Sequence, residues 1–161
     1  MRNLLTVILL LVVGGLFGEW LQQTYLDEFG DPTDIKYIKH VMVGTFSNSA
    51  SDDAPAYITC IYTKGLGFLE FDVSEYKANN KANFSSGFHA LYVKDDKGEK
   101  TKYTDLLSMY KGSLMLEAEK IIEQIKKNNK LKMIIITEDS RTSYNFTMDC
   151  TGFSKALKYF K

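Results

Sequence analysis

Apolar residues fall along this chain in three different rhythms. Over residues 4–18 they run almost without interruption, from Leu4 and Leu5 through Val12 and Val13 to Leu16 and Phe17. Over most of 35–149 they alternate with polar residues. Over 117–128 they return at every third or fourth place, at Ala118, Ile121, Ile122 and Ile125.

Alternation puts successive side chains on opposite faces of a strand. It predicts strands over 35–46, 57–63, 66–73, 87–94, 99–103, 113–116, 131–137 and 143–149. Residues 106–110 fit neither period. Turn chemistry punctuates the runs: Gly30-Asp31-Pro32-Thr33-Asp34, Lys64-Gly65 and Asp95-Asp96-Lys97-Gly98 combine free and fixed backbone angles. The polar stretches 47–55 and 74–86 read as loops. In the helical stretch Glu119 leads while Lys126 and Lys127 trail, which suits the helix dipole. A second helix is predicted over 153–160, with Phe153, Ala156, Leu157 and Phe160 on one face. Residues 19–29, with Trp20, Leu21, Tyr25, Leu26 and Phe29, read as an amphipathic linker or a short helix.

Many short strands with close turns, then late helices, define an α+β, β-rich class. The expected architecture is an antiparallel β-sandwich with one or two helices of the C-terminal half packed on it. The expected organisation is a signal peptide or N-terminal membrane anchor over 1–18, a linker over 19–34 and a single β-rich domain over 35–161.

The first segment carries Arg2 ahead of its apolar run, as an export signal does. Val13-Gly14-Gly15 offers small residues for cleavage. The alternative is an uncleaved anchor, for which the run is short against the 17–25 residues that span a bilayer, with Trp20 and Leu21 as an interfacial extension. In both cases Arg2 holds the N-terminus inside and sends the body out, to the periplasm or to the outer side of an inner-membrane anchor. A buried N-terminal helix of a cytosolic domain is the third reading, but the run has no polar face.

Composition narrows the function classes. Aromatic residues make up 13% of the chain, mostly Tyr and Phe, which suits sheet faces. Formal charge is zero, and without Arg2 the body keeps one more acidic than basic residue. That lacks the field that nucleic-acid binding requires. Cys60 and Cys150 are an even pair in an exported chain, each on the apolar face of its strand. They are disulfide candidates, with separate buried thiols as the other reading.

No nucleophile elbow, phosphate-cradling glycine motif or metal-ligand spacing is present, so no catalytic residue, cofactor or metal is expected. Alternation sets His89 against Phe88 and Tyr92, which reads it as a surface or hydrogen-bonded sheet residue. His40 lies within an apolar strand. Glu70 and Asp72 are two apart on one strand and share a face, so a carboxylate-pair hydrolase is one reading of them and an exposed sheet face the other. Lys126, Lys127, Lys130 and Lys132 form the one basic cluster, either a contact for anionic lipid or a partner, or a solvated helix end.

Several local signals occur in a familiar order: Gly30-Asp31-Pro32-Thr33-Asp34, the strand ending Tyr57-Ile58-Thr59-Cys60, and a helix-strand-strand-helix tail closing on Gly152-Phe153-Ser154-Lys155-Ala156-Leu157. In this the chain resembles exported bacterial and phage proteins of the VasI-like group associated with type VI secretion. The resemblance implies a β-sandwich accessory or binding domain of the envelope, with no catalytic residues to carry over. The expected function is a non-enzymatic envelope protein acting through protein–protein contacts. The alternative is a phage or plasmid protein that guards the envelope, by superinfection exclusion, immunity or lysozyme inhibition.

Overall fold

The computed structural model describes residues 19–160. The run over 4–18, with the export and anchor readings placed on it, lies outside the described residues. Among the described residues there are nine strands: β1 (Trp20–Leu26), β2 (Pro32–Ser47), β3 (Ala54–Thr63), β4 (Phe68–Glu75), β5 (Phe88–Lys94), β6 (Lys100–Tyr110), β7 (Ser113–Glu117), β8 (Lys130–Ile136) and β9 (Ser143–Asp149). Helix α1 (Ala118–Lys127) separates β7 from β8, and the short α2 (Phe153–Ala156) runs into a single 3-10 turn, Leu157–Phe160.

The strands close on themselves. Their order is β2-β3-β4-β7-β6-β5-β8-β9, and β9 returns to β2. This is a closed eight-stranded antiparallel barrel with β1 as an extra strand, not the sandwich expected from the alternation and from the VasI-like resemblance. Alternation shows that each strand has one buried face. It does not say whether that face meets a second sheet or the far wall of its own sheet.

Closure depends on the length of β2. One edge of this 16-residue strand pairs with β3. Its other edge is shared: β1 takes the first part, from Trp20↔His40 down to Leu26↔Pro32, and β9 takes the end, through Thr45↔Asn145, Phe46↔Tyr144 and Ser47↔Ser143. The crossing is close at Gly44, where a Cβ would overlap the Asn145 carbonyl and stand 2.8 Å from the Phe146 Cβ. A glycine inside a strand marks such an approach of a second backbone.

The stretch 19–34 is therefore not a linker. Its polar positions, Gln22, Gln23 and Thr24, fall on both faces because β1 and the start of β2 project as a half-exposed hairpin. The turn between them is held by Asp27, whose Oδ1 accepts from the backbone N–H of Phe29 and of Asp31 at 2.9 Å each, with Gly30 at φ 88°. Trp20 is buried. Its ring stacks on His40 (centroids 4.9 Å apart) and meets Phe153 edge-on (4.6 Å), so it belongs to the core and is no interfacial anchor.

Side chains fill the barrel, as eight strands allow. Ile38, Met42, Phe46, Ile58, Leu69, Phe71, Leu114, Ile135 and Phe146 all point inward and are buried. α1 links β7 to β8, which are not neighbours in the barrel, so it crosses one mouth and buries Ala118, Ile121, Ile122 and Ile125 there. Residues 106–110 continue β6 past an irregularity in its pairing with β5. A second irregularity, in the pairing with β7 between Ser108 and Tyr110, breaks the alternation within them. Among the described residues no helix is long and apolar enough to cross a membrane.

Candidate binding surface

The interior is filled; the outer wall over β4, β7, β6, β5 and β8 exposes Phe68, Phe88, Tyr92, Met109, Tyr110 and Ile134, and the β1–β2 hairpin exposes Tyr25, Leu26, Phe29 and Ile35. On β5 the facing is the reverse of the surface reading of His89. His89, Leu91 and Val93 point inward, and Phe88 and Tyr92 stand outside at 60% and 37% exposure. Both faces of this strand are apolar, so the period shows the alternation but not its sense.

Phe88 is a ridge between two open depressions. On one side lies an apolar one of about 550 Å³, with Phe68, Leu107, Met109 and Met115 in its walls and Asp105 and Glu117 at its margin. Register builds it: Phe88 faces Leu107, Leu107 faces Met115, and Phe68 opens β4 beside Glu117. On the other side is a groove of about 590 Å³ floored by Ala90, with Tyr92, Lys102, Thr104 and Arg141 around it. The Lys102 ammonium lies 5.2 Å from the centre of the Tyr92 ring.

The four lysines expected as one cluster separate. Lys126 and Lys127 belong to the last turn of α1, where both reach Glu123 (2.9 and 3.8 Å); Lys126 holds that carboxyl below its ordinary pKa. Lys130 and Lys132 point outward from β8. Lys132 stands opposite Lys94, and Lys94 opposite Lys100, so three ammonium groups cross three strands in one row. Lys94, Lys100 and Lys102 were not legible as partners of the cluster, because pairing of β5 with β8 skips the intervening strands and helix.

The other singled-out residues are committed elsewhere. The backbone N–H of Glu138 donates to His89 Nδ1 (3.0 Å), which puts the ring proton on Nε2, facing the Ser85 carbonyl (3.2 Å). His40 Nδ1 faces the Glu19 carbonyl (3.3 Å) and its Nε2 accepts from the Asp149 N–H (3.3 Å). Burial holds this ring below its ordinary pKa. Both histidines are buried cross-braces. Glu70 and Asp72 do share the outer face of β4. Glu70 accepts from the Tyr110 hydroxyl (2.5 Å) and the Ser113 hydroxyl (2.7 Å), and Asp72 is paired with Lys81. The two bonds to Glu70 both fall on Oε1, and the Lys81 contact of Asp72 falls on Oδ2, so each carboxylate has one oxygen held by a neighbouring side chain.

Cys60 and Cys150 are free thiols, both buried, so the expected bridge is not formed. Cys60 faces the barrel interior in mid-β3, opposite His40. Cys150 is one residue past the end of β9, with its Sγ toward the Met148 carbonyl at 3.8 Å. Cys150 keeps the buried side it shares with Tyr144, Phe146 and Met148, but its sulfur turns back onto the Met148 carbonyl and does not meet Cys60. Burial pushes the Cys60 thiol well up and the Cys150 thiol up to about 12, the latter helped by Asp149. Thiols so held stay protonated and inert. Among the described residues no three His, Cys, Asp or Glu side chains gather as a metal site.

No family model matches the chain, and a search of curated proteins and of solved structures finds no match.

Proposed function

We propose that this is an exported, non-enzymatic envelope protein that binds another envelope protein through the outer wall of its barrel. The observation that carries the reading is the apolar depression on that wall. Phe68, Phe88 and Met109 are 47%, 60% and 53% exposed on β4, β5 and β6, around walls of Leu107 and Met115. Contiguous exposed apolar surface of this kind marks contact sites, and methionine adapts its shape to a partner. The acidic margin, Asp105 and Glu117, favours a partner whose apolar segment is flanked by basic residues. The non-enzymatic part of the reading draws on the commitment of Glu70, Asp72, His40 and His89 to internal bonds.

A photo-crosslinking residue placed at Met109 tests it in intact envelopes. The expected result is one discrete crosslinked species, absent when the probe stands at Lys111 in the β6–β7 turn and lost when Phe68→Glu is added. Crosslinking that is diffuse, or equal at both positions, refutes the reading.

A further inference from the structure

We propose that the tip of the β1–β2 hairpin docks on the lysine-bordered wall of a second copy of this chain, so that copies join tip to wall. The contact is separate from the depression around Phe88 and Met109 and needs nothing of residues 1–18.

The tip is a two-stranded ribbon. β3 follows β2 only as far as the Tyr37↔Thr63 pair. Beyond it β1 and β2 have only each other and the C-terminal turn, whose Tyr159 hydroxyl meets the Thr24 hydroxyl (3.0 Å). Leu26, Phe29 and Ile35 stand 62%, 83% and 54% exposed there. Polar bonds already hold the turn: those of Asp27, and the Thr33 hydroxyl donating to the Tyr25 carbonyl (2.9 Å). Carboxylates surround the apolar side chains. Residues 27–36 carry Asp27, Glu28, Asp31 and Asp34 against the single Lys36, whose ammonium lies 4.9 Å from the centre of the Tyr159 ring. Among the described residues none of these four carboxylates makes an ion pair.

The complementary surface is the outer wall at Tyr92 and Ile134. These two are register partners on β5 and β8, 37% and 38% exposed. Lys102 borders them as the partner of Tyr92 on β6. The row Lys100, Lys94 and Lys132 lies two residues along the same strands, about 7 Å away. The row crosses three strands, roughly 10 Å, which is wide enough for a tip whose own strands are about 4.8 Å apart. Like charges directly opposite one another are unfavourable in a sheet. Among the described residues Lys94, Lys100, Lys102 and Lys132 make no ion pair. The nearby Asp95 and Asp96 are turned to backbone N–H groups. An apolar tip rimmed by carboxylates meets both the exposed Tyr92–Ile134 pair and the lysines around it.

The tip cannot reach the wall of its own molecule. β2 runs unbroken from Pro32 to Thr45. Thr45 faces Asn145, and Asn145 faces Ile134. The 13 steps from 32 to 45 measure about 43 Å at about 3.3 Å each. A second copy supplies what each surface lacks. The chain is formally neutral, so copies carry no net repulsion, while acid is gathered at the tip and base at the wall. Such a contact joins two different patches. It is therefore heterologous, and it leaves a free tip and a free wall for further copies.

The test uses the full chain in a neutral detergent, followed by sedimentation equilibrium. The parent should associate as its concentration rises. The association should weaken about tenfold or more between about 0.01 M and about 1 M salt, over which the Debye length falls from about 30 Å to about 3 Å. Phe29→Ser with Glu28→Lys disables the tip, and Lys94→Glu with Lys132→Glu disables the wall. Each variant should keep the parental melting temperature and stay monomeric alone; mixed, the two should form a 1:1 dimer that adds no third copy. If either variant melts below the parent, Phe29→Ser alone or Lys94→Gln with Lys132→Gln takes its place. A parent that is monomeric at low salt overturns the proposal and leaves both surfaces to other proteins. Association that persists in the tip variant or the wall variant overturns it in favour of a symmetric contact or of pairing through the N-terminal run. A mixture of the two variants that stays monomeric overturns it as well.

Discussion

Gly44→Ala tests the closure of the barrel more directly than any other single change. The added methyl would stand 2.8 Å from the Phe146 Cβ and overlap the Asn145 carbonyl. The obstacle is backbone, so no side chain can swing aside. Restoring ordinary contact, at 3.4 Å or more, requires β9 to move by about 0.6 Å from the Phe146 side alone. Ladder bonds near 2.9 Å do not survive such a shift, and this seam has only three register pairs. Overpacking costs about 1–3 kcal/mol, and two weakened ladder bonds add about 1 kcal/mol each. A loss of roughly 3–5 kcal/mol is large against a total stability of about 5–15 kcal/mol. In a body of this size it lowers the melting temperature by roughly 10 °C. Gly30→Ala is the control: nothing lies within 4 Å of its Cβ, but its φ is 88°, so it carries only the left-handed strain of about 1 kcal/mol. Thermal unfolding by circular dichroism should place Gly44→Ala well below Gly30→Ala. Equal melting temperatures, or a Gly44→Ala protein within a degree or two of the parent (a shift worth under about 1 kcal/mol), would show that β9 does not cross β2 there.

His40 gives a pH dependence. Its folded pKa is lowered by burial, so the unfolded chain takes up the proton first, near pH 6.5. Its contribution is complete above that value and is lost as pH falls below it toward the folded pKa, with a slope of at most about 1.4 kcal/mol per pH unit. Denaturant titrations at neutral and mildly acidic pH should show this loss, and His40→Gln should flatten it; an unchanged slope refutes the neutral brace. The two thiols should resist a polar thiol reagent in the native protein and react together on unfolding, and labelling of either without unfolding contradicts their burial. Tyr144→Phe removes a buried hydroxyl that donates to Glu75 Oε1 at 2.6 Å. It should cost about 1.5–3 kcal/mol, the range for a bond to a charged acceptor, read as a shift in denaturant midpoint. A neutral result would place that hydroxyl in water.

Much of the strand inventory was legible because alternation is local. The runs at 57–63, 131–137 and 143–149 coincide with β3, β8 and β9 to within a few residues, and α1 follows from the spacing of Ala118, Ile121, Ile122 and Ile125. What failed was non-local. β1 looked helical because Trp20, Leu21, Tyr25 and Leu26 are spaced as a helix face would be, and only its pairing with β2 makes it a strand. The sandwich expectation failed on one glycine in a long strand, whose role is set by a chain segment about a hundred residues away. The lysine row was invisible for the same reason, since β5 pairs with β8 across an intervening hairpin and helix.

The misread face of β5 ties these failures to function. A barrel wall that only met water would carry polar residues outward on every strand. β5 instead presents Phe88 and Tyr92 to solvent while burying Leu91 and Val93, and β8 presents Ile134 beside Lys132. Exposing these side chains adds nothing to the fold, since the interior is already filled by Phe46, Phe71, Tyr144 and Phe146. The ambiguity that defeats the sequence pattern therefore falls on the same strand as the contact surface proposed above. Under that proposal, the inward face of β5 serves the core and the outward face a partner. Replacing Phe88 with a polar residue should therefore change what the protein binds far more than how firmly it folds.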